Sequence, residues 1–134
     1  MGEAVKAGNF EFVINGVNET NKLSSGNQFI KDVTTEGKLL VIDYTVKNLD
    51  TKARMMDGNL FKLKGNGAEF EPMNKAEVMM ILGDKNLFLE EVNPQMSRSG
   101  KIVVEVPADL NAYNLKLSSG LGWSGGEYAT VKLK

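Results

Sequence analysis

Residues 38–48 read Lys-Leu-Leu-Val-Ile-Asp-Tyr-Thr-Val-Lys-Asn, and this stretch decides the fold. In an extended chain one face would carry four apolar side chains at period two: Leu40, Ile42, Tyr44 and Val46. β-branched and aromatic residues dominate, and neither Gly nor Pro interrupts the run. The pattern predicts a β-strand that is buried on one face and partly exposed to solvent on the other.

The rest of the chain repeats this pattern in short segments separated by turn signals. Asn15-Gly16 either turns a hairpin or kinks a strand that continues, residues 18–27 are polar enough for a loop, and Gly65-Asn66-Gly67 favours a tight hairpin. So many short strands predict an all-β protein, an antiparallel β-sandwich rather than a doubly wound sheet. The further predicted strands are residues 10–14, 28–33, 61–64, 68–70, 86–92, 101–107, 113–118 and 128–134.

One short helix is predicted, at residues 75–82, after Pro72 breaks the β pattern. Asn74 is the expected N-cap, because Glu77 follows it three residues later in the capping-box position. Gly83 would end the helix in a left-handed conformation.

The size and charge of the chain limit what it can be. Its 134 residues suit a single domain, residues 1–134, with residues 1–8 expected to be a linker or a remnant of expression. The net charge of −1 does not favour a nucleic-acid binder, which usually carries a basic excess. No apolar run reaches the length of a transmembrane helix.

The inventory of reactive side chains argues against an enzyme. The chain has no Cys and no His, so thiolate nucleophiles, disulfides and imidazole acid–base catalysis are excluded. A carboxylate-based hydrolase remains an alternative, but adjacent residues such as Glu90 and Glu91 point to opposite faces of a strand and cannot form a catalytic pair. We therefore expect no catalytic residues.

Metal binding would have to use oxygen ligands, which favours Ca²⁺. The densest oxygen-rich segment carries Asp84, Glu90 and Glu91, with Asn86 between them. Their spacing does not match an EF-hand loop, so a solvated loop is the preferred interpretation, and we predict no metal and no cofactor.

Trp123 is the single Trp of the chain and lies in the Gly- and Ser-rich residues 118–126. A Trp in such a loop can anchor a partner or stack on a sugar, or it can fold back and cap one end of the sandwich. Trp123 and the nearby Tyr128 are the candidate ligand-binding residues.

Three segments resemble a known family: residues 10–17, residues 40–48 with their terminal Lys-Asn, and residues 88–107 with Asn93-Pro94 followed by Gly100-Lys101-Ile102. The chain resembles the immunoglobulin-like domains of unknown function found in Gram-positive bacterial lipoproteins and secreted proteins, which are similar in fold to the immunogenic secreted antigen of mycobacteria. It departs from the family pattern at Gln95, where Gly is common, and it lacks the Cys that carries a lipid anchor.

The resemblance implies an immunoglobulin-like antiparallel β-sandwich located outside the cell or anchored at its surface. It implies a non-catalytic binding module whose partner is an unknown protein or glycan at the cell surface. A membrane would be reached only through a lipid anchor, which this chain does not carry. The alternative is a carbohydrate or small-ligand module that uses the loop around Trp123.

Overall fold

The structure is a computed structural model that describes residues 2–24, 26, 28–56, 60–118 and 128–134. Helix α1 (Ala76–Leu82) is followed directly by a 3-10 helix (Gly83–Lys85). Among these residues no helix has the length and apolar character needed to cross a bilayer. The strands within the described part of the chain are β1 (Ala4–Ala7), β2 (Phe10–Leu23), β3 (Val33–Asn48), β4 (Arg54–Met55), β5 (Phe61–Gly65), β6 (Ala68–Phe70), β7 (Glu91–Val92), β8 (Ser97–Val106), β9 (Asn114–Ser118) and β10 (Tyr128–Lys132).

Two four-stranded sheets form the body of the protein. Sheet I has the order β1-β2-β3-β8, and sheet II has the order β10-β9-β5-β6. A small third sheet joins β4 to β7, and every pairing is antiparallel. The predicted all-β, antiparallel sandwich with one short helix is therefore confirmed.

One apolar core lies between the two sheets, because each sheet buries its alternate side chains against the other. Three rings mark its centre: Phe12 and Phe61 have centroids 5.8 Å apart, and Tyr44 lies 4.9 Å from Phe61. The inner faces of the paired strands β3 and β8 share this core. The inner faces of these two strands contribute Leu40, Ile42, Tyr44, Val46, Ile102, Val104 and Val106.

The other face of β3 is more buried than its sequence predicted. Leu39 is fully buried and Val41 is 9% exposed, because helix α1 covers this end of the strand. Val78 of α1 packs there with Val103 of β8 and makes a second, smaller apolar cluster. From Asp43 onward the same face is partly exposed.

Strand β2 is longer than predicted and settles the alternatives left open at Asn15-Gly16. The chain does not turn there: the register between β2 and β3 shifts between Ile14 and Gly16, which makes an irregularity inside one continuous strand. The predicted loop at residues 18–27 is wrong up to Leu23, since β3 supplies partners along this stretch.

The start of β3 also differs from the prediction. The predicted strand at residues 28–33 is wrong, because β3 begins only at Val33. Residues 34–37, whose Thr-Thr-Glu-Gly sequence favours a turn, lie inside the strand. The register with β2 shifts across this segment, since Leu39 pairs with Thr20 and Thr34 with Lys22, so the segment is an irregularity within the strand.

Residues 4–7 correct the assignment of residues 1–8 to a linker. They form β1 at the edge of sheet I, where Ala7 pairs with Phe10 and Val5 with Phe12. Gly8 has a φ of 59°, which allows the tight turn between the strands. Ala7 is buried, so this segment is part of the core.

The short-range signals at turns and helix ends were mostly sound. Asn66 and Gly67 have φ values of 55° and 79°, as the predicted hairpin requires, and Gly83 ends α1 with a φ of 57°. The predicted N-cap is wrong: Lys75, not Asn74, precedes the helix, and its side chain makes no capping hydrogen bond. In the predicted strand at residues 86–92, only Glu91–Val92 pairs, with β4.

Candidate functional site

The two candidate ligand-binding residues belong to one stretch of the chain, the connection from β9 to β10 and the first residue of β10. Tyr128 is the first residue of β10 and is paired with Ser118, the last residue of β9. Its side chain is exposed, with 54% of the residue surface accessible. Trp123 lies outside the described residues, in the segment that joins these two strands, so its predicted role is neither supported nor contradicted.

The outward face of sheet II carries a row of lysines beside Tyr128. In β5 the apolar residues point to the core, so Lys62 and Lys64 alternate to the outside, and Lys116 does the same in β9. Lys62 and Lys116 are direct partners across the β5–β9 pairing. We call Lys62, Lys64, Lys116 and Tyr128 the lysine–tyrosine face.

Contacts within this face are short and specific. The Nζ atom of Lys116 lies 4.3 Å from the centroid of the Tyr128 ring, within the range of a cation–π interaction. Glu69 of β6 reaches both lysines of β5: its Oε1 lies 3.1 Å from Lys64 Nζ and its Oε2 lies 3.4 Å from Lys62 Nζ. The face is therefore an ordered charge cluster rather than scattered surface lysines.

The charged groups of the cluster shift one another's pKa values. The hydrogen bond from Lys64 lowers the pKa of Glu69, and the same contact raises the pKa of Lys64. Desolvation, followed by the positive charge of Lys64, lowers the pKa of Lys116. Lys62 and Lys64 thus share the Glu69 carboxylate, and the charge on Lys116 is disfavoured.

An open groove of about 340 Å³ adjoins the lysine–tyrosine face. The hairpin turn at residues 65–68, which includes Asn66, forms one wall of the groove. Lys64, Glu69 and Asn114 line the rest. Amide side chains both donate and accept hydrogen bonds, so this groove offers contacts to a neutral polar ligand next to the charged cluster.

The calcium candidates are not brought together. Asp84 lies in the 3-10 helix, Glu90 precedes β7, and Glu91 lies in β7. Within the described ranges no group of three or more His, Cys, Asp or Glu side chains could hold a metal ion. The sequence spacing alone had grouped them.

A second cleft, of about 600 Å³, collects carboxylates that a hydrolase would need. Glu69, Glu71 and Glu105 line it together with Lys75. A general acid requires a raised pKa, whereas Lys64 lowers the pKa of Glu69. Glu69 is therefore not suited to act as the general acid of a hydrolase.

An ionic cluster around Glu19 joins the two sheets. Glu19 of β2 accepts a hydrogen bond of 2.8 Å from the hydroxyl of Tyr113, and its carboxylate lies 3.0 Å from Lys38 Nζ and 3.1 Å from Lys134 Nζ. These contacts, led by the Tyr113 hydroxyl, lower the pKa of Glu19 to about 2. A carboxylate saturated by three donors is suited to holding structure.

Sequence reasoning missed the lysines of the lysine–tyrosine face. The signal was present as Lys-x-Lys in β5 and as a lysine between two leucines in β9. Alternation predicts that such lysines point outward, but it does not say that β5 and β9 are neighbours. The juxtaposition depends on sheet order.

The comparison with known families accounts for nearly the whole chain. The model of the family described as "Domain of unknown function (DUF4352)" matches residues 1–129. The chain belongs to this family. No curated protein sequence matches it.

Solved structures similar to this DUF4352 chain share its fold. The yjhA protein of Bacillus subtilis has a TM-score of 0.74 at 18% identity, covering 100% of this chain and 98% of that protein. A candidate lipoprotein of Bacillus subtilis, ycdA, has a TM-score of 0.66 at 16% identity, and the match covers 96% of this chain and 38% of that protein. The secreted protein MPT63 of Mycobacterium tuberculosis has a TM-score of 0.62 at 11% identity, covering 90% of this chain and 88% of that protein. At these identities the likeness concerns the fold alone.

Proposed function

We propose that this DUF4352 chain is a non-catalytic, extracytoplasmic binding module of a bacterial surface protein. It binds its ligand through the lysine–tyrosine face. The observation that carries the proposal is the placement of Lys116 against the exposed Tyr128 ring, with Lys62 directly across the sheet. Aromatic rings and cations on a rigid sheet are pre-organised contacts, because the scaffold has already removed much of their freedom.

The location and the non-catalytic nature rest on separate supports. The similar structures include a candidate lipoprotein and a secreted protein, which favours a place outside the cytoplasm. The chain contains neither His nor Cys, which removes the commonest acid–base and nucleophilic groups. The immunoglobulin-like character of the sandwich is part of the same proposal.

Binding to isolated cell envelopes tests the proposed function. The purified chain is sedimented with envelope sacculi of Bacillus subtilis, and the bound fraction is measured against protein concentration. We expect saturable binding that falls in the Lys116→Gln and Tyr128→Ala variants. Lys101→Gln is the matched control, because Lys101 lies in β8 on the other sheet.

Two results would contradict this function. One is an absence of saturable binding to any envelope preparation by the folded chain. The other is envelope binding that the Lys116 and Tyr128 variants retain in full while the Lys101 control loses it.

A carbohydrate or small-ligand module that also uses Trp123 is the second candidate function. It is favoured by one observation: the segment with Trp123 leaves and rejoins sheet II at Ser118 and Tyr128, beside the exposed ring. Tryptophan fluorescence separates the possibilities, since Trp123 is the single Trp. Red-shifted emission that acrylamide quenches readily, and that a sugar ligand protects, supports this candidate. Blue-shifted emission with poor quenching removes Trp123 from the site.

A further inference from the structure

We propose that a polar site at the hairpin between β5 and β6 binds a neutral sugar unit of a glycan. The site consists of two hollows that share Asn66: the open groove of about 340 Å³, which Asn114 also lines, and a second hollow of about 220 Å³ lined by Asp109 and Asn111. We call these four side chains the asparagine site. It does not use the cation–π pair of the lysine–tyrosine face, so the inference goes beyond the proposed function.

The asparagine site is also separate from the segment that carries Trp123. Asn114 is the first residue of β9, whereas that segment leaves sheet II after Ser118, the last residue of the same strand. The two places therefore lie at opposite ends of β9, and a sugar in one of them does not depend on the other.

The two walls of the site are fixed against each other. One wall is the hairpin turn, in which Asn66 has a φ of 55°. The other is the segment before β9, which is anchored by Leu110 and Tyr113, both buried in the core. The walls meet at Gly65, where an added Cβ atom would lie only 2.9 Å from the Ala112 carbonyl oxygen. A site on rigid elements loses little conformational freedom when a ligand binds.

The polar side chains of the site are not used to hold the protein together. All four are exposed, and none of them makes a hydrogen bond or an ion pair with any residue that the structure describes. Other asparagines use their side-chain amides to join turns and strands: Asn9, Asn15, Asn48 and Asn86. The asparagine site therefore presents its hydrogen-bonding groups to solvent or to a ligand.

The chemistry of these groups matches the hydroxyls of a sugar. A hydroxyl both donates and accepts hydrogen bonds, as a carboxamide does, and the carboxylate of Asp109 can accept from two neighbouring hydroxyls. Three carboxamides beside one carboxylate can thus pair with several hydroxyls of one ring.

Other classes of ligand fit the site less well. An anion would meet the carboxylate of Asp109, and Lys64 at the edge of the larger hollow is already paired with Glu69 at 3.1 Å. An apolar ligand finds little to contact, because the apolar side chains that line the hollows are two alanines and the buried Leu110. A metal ion lacks ligands, since the described ranges hold no group of three or more His, Cys, Asp or Glu side chains suited to one.

Side-chain amide signals in proton–nitrogen correlation spectra test the inference residue by residue. The probes are three neutral trisaccharides: maltotriose, chitotriose and mannotriose. At least one of them should shift the side-chain signals of Asn66, Asn111 and Asn114 saturably, with a dissociation constant of about 1–10 mM, as expected for a shallow site open to solvent. The signals of Asn18, which is exposed but outside the site, and of the buried Asn48 should stay in place.

Variants of the asparagines measure what each contributes. Asn111→Ala and Asn114→Ala should each weaken the binding of that trisaccharide about two- to tenfold, the effect of losing one net hydrogen bond. Asn66→Gly should do the same while keeping the hairpin, because Gly accepts a φ of 55°. Asn18→Ala is the matched control, since it removes an exposed asparagine of β2 on sheet I. Circular dichroism melts verify that each variant is folded.

Several results would overturn the inference. One is the absence of a saturable shift of the asparagine signals with any of the three sugars, and another is full binding by all three asparagine variants. A third is tighter binding of trigalacturonate, an anionic trisaccharide, than of every neutral probe. A fourth is sugar binding that is lost in Lys116→Gln or Tyr128→Ala, which would place the sugar on the lysine–tyrosine face.

The failure of this inference and that of the proposed function are distinguishable. If envelope binding is absent while a sugar still shifts the asparagine signals, the proposed function has failed and the asparagine site stands. If the envelope is bound through Lys116 and Tyr128 while no neutral sugar shifts these signals, the asparagine site is wrong and the proposed function stands.

Discussion

Replacing Glu19 with Gln should destabilise the protein at neutral pH and have almost no effect near pH 2. Glu19 lies on β2 of sheet I, while Tyr113 and Lys134 lie at the two ends of the segment that includes β9 and β10 of sheet II. The substitution removes the negative charge that holds these groups together. It leaves an amide of nearly the same size.

The size of the effect follows from the pKa of Glu19, which is lowered from 4.5 to about 2 by the Tyr113 hydroxyl first and by Lys38 and Lys134 with it. A shift of this size would be worth about 3 kcal/mol if it were fully expressed in stability. The Glu19 side chain is 31% exposed, so solvent screens the ion pairs and we expect about 1–2 kcal/mol.

The sign of the pH dependence is set by the direction of this shift. Because the folded-state pKa is below the unfolded value, the stabilisation is complete above about pH 4.5 and is lost as the pH falls towards 2. The pKa values of Asp32, Asp50 and Glu69 are lowered as well, so the wild-type chain loses stability in acid for several reasons. The difference between wild type and Glu19→Gln isolates the contribution of Glu19.

Urea denaturation at a series of pH values between 7 and 2 measures that difference. The Tyr113→Phe variant and the double variant complete a mutant cycle, which should show coupling because the hydroxyl of Tyr113 donates to Glu19. A difference that stays constant across the pH range, or one that grows as the pH falls, would refute the assignment of a lowered pKa to Glu19.

Three further changes test the packing. Ile42→Ala should cost roughly 2–5 kcal/mol in denaturant melts, since Ile42 is fully buried between the sheets, and a loss under ~0.5 kcal/mol would contradict its place in the core. Asn48→Ala should cost about 2–4 kcal/mol, because the buried side chain donates to the Lys52 and Val92 carbonyls and accepts from the Asp50 amide. Tyr44→Phe should leave thermal stability unchanged or raise it by up to about 1 kcal/mol, because the buried Tyr44 hydroxyl finds no hydrogen-bond partner in the described part of the chain. A loss above ~1 kcal/mol for Tyr44→Phe would mean that this hydroxyl is hydrogen-bonded.

Strong alternation was enough to identify the strands that line the core. The inner faces of β3 and β8 were readable from residues 40–46 and 102–106 alone, because burial on one side of a sheet imposes period two on the sequence. Gly83 and the Asn66-Gly67 turn were equally local, since positive φ restricts which residues can stand there.

Segments without such a pattern depended on their neighbours. The polar half of β2 pairs with β3, through residues 39–43 and through Val33 and Thr34, and this pairing overrode its loop signal. Residues 4–7 became a strand because Gly8 turns them back onto β2. In each case the deciding hydrogen bonds run between positions that the local sequence does not connect.

The candidate site, too, was partly predictable from the sequence and partly dependent on the tertiary structure. The sequence by itself determined that Lys62, Lys64 and Lys116 would point away from the core, because each alternates with leucines or phenylalanine. Only the tertiary structure placed β5 between β6 and β9, which set Lys62 opposite Lys116 and brought Glu69 and Tyr128 to the same cluster. The physical reason is range: alternation is imposed residue by residue along one strand, whereas the order of strands in a sheet is decided by the burial of all of them together.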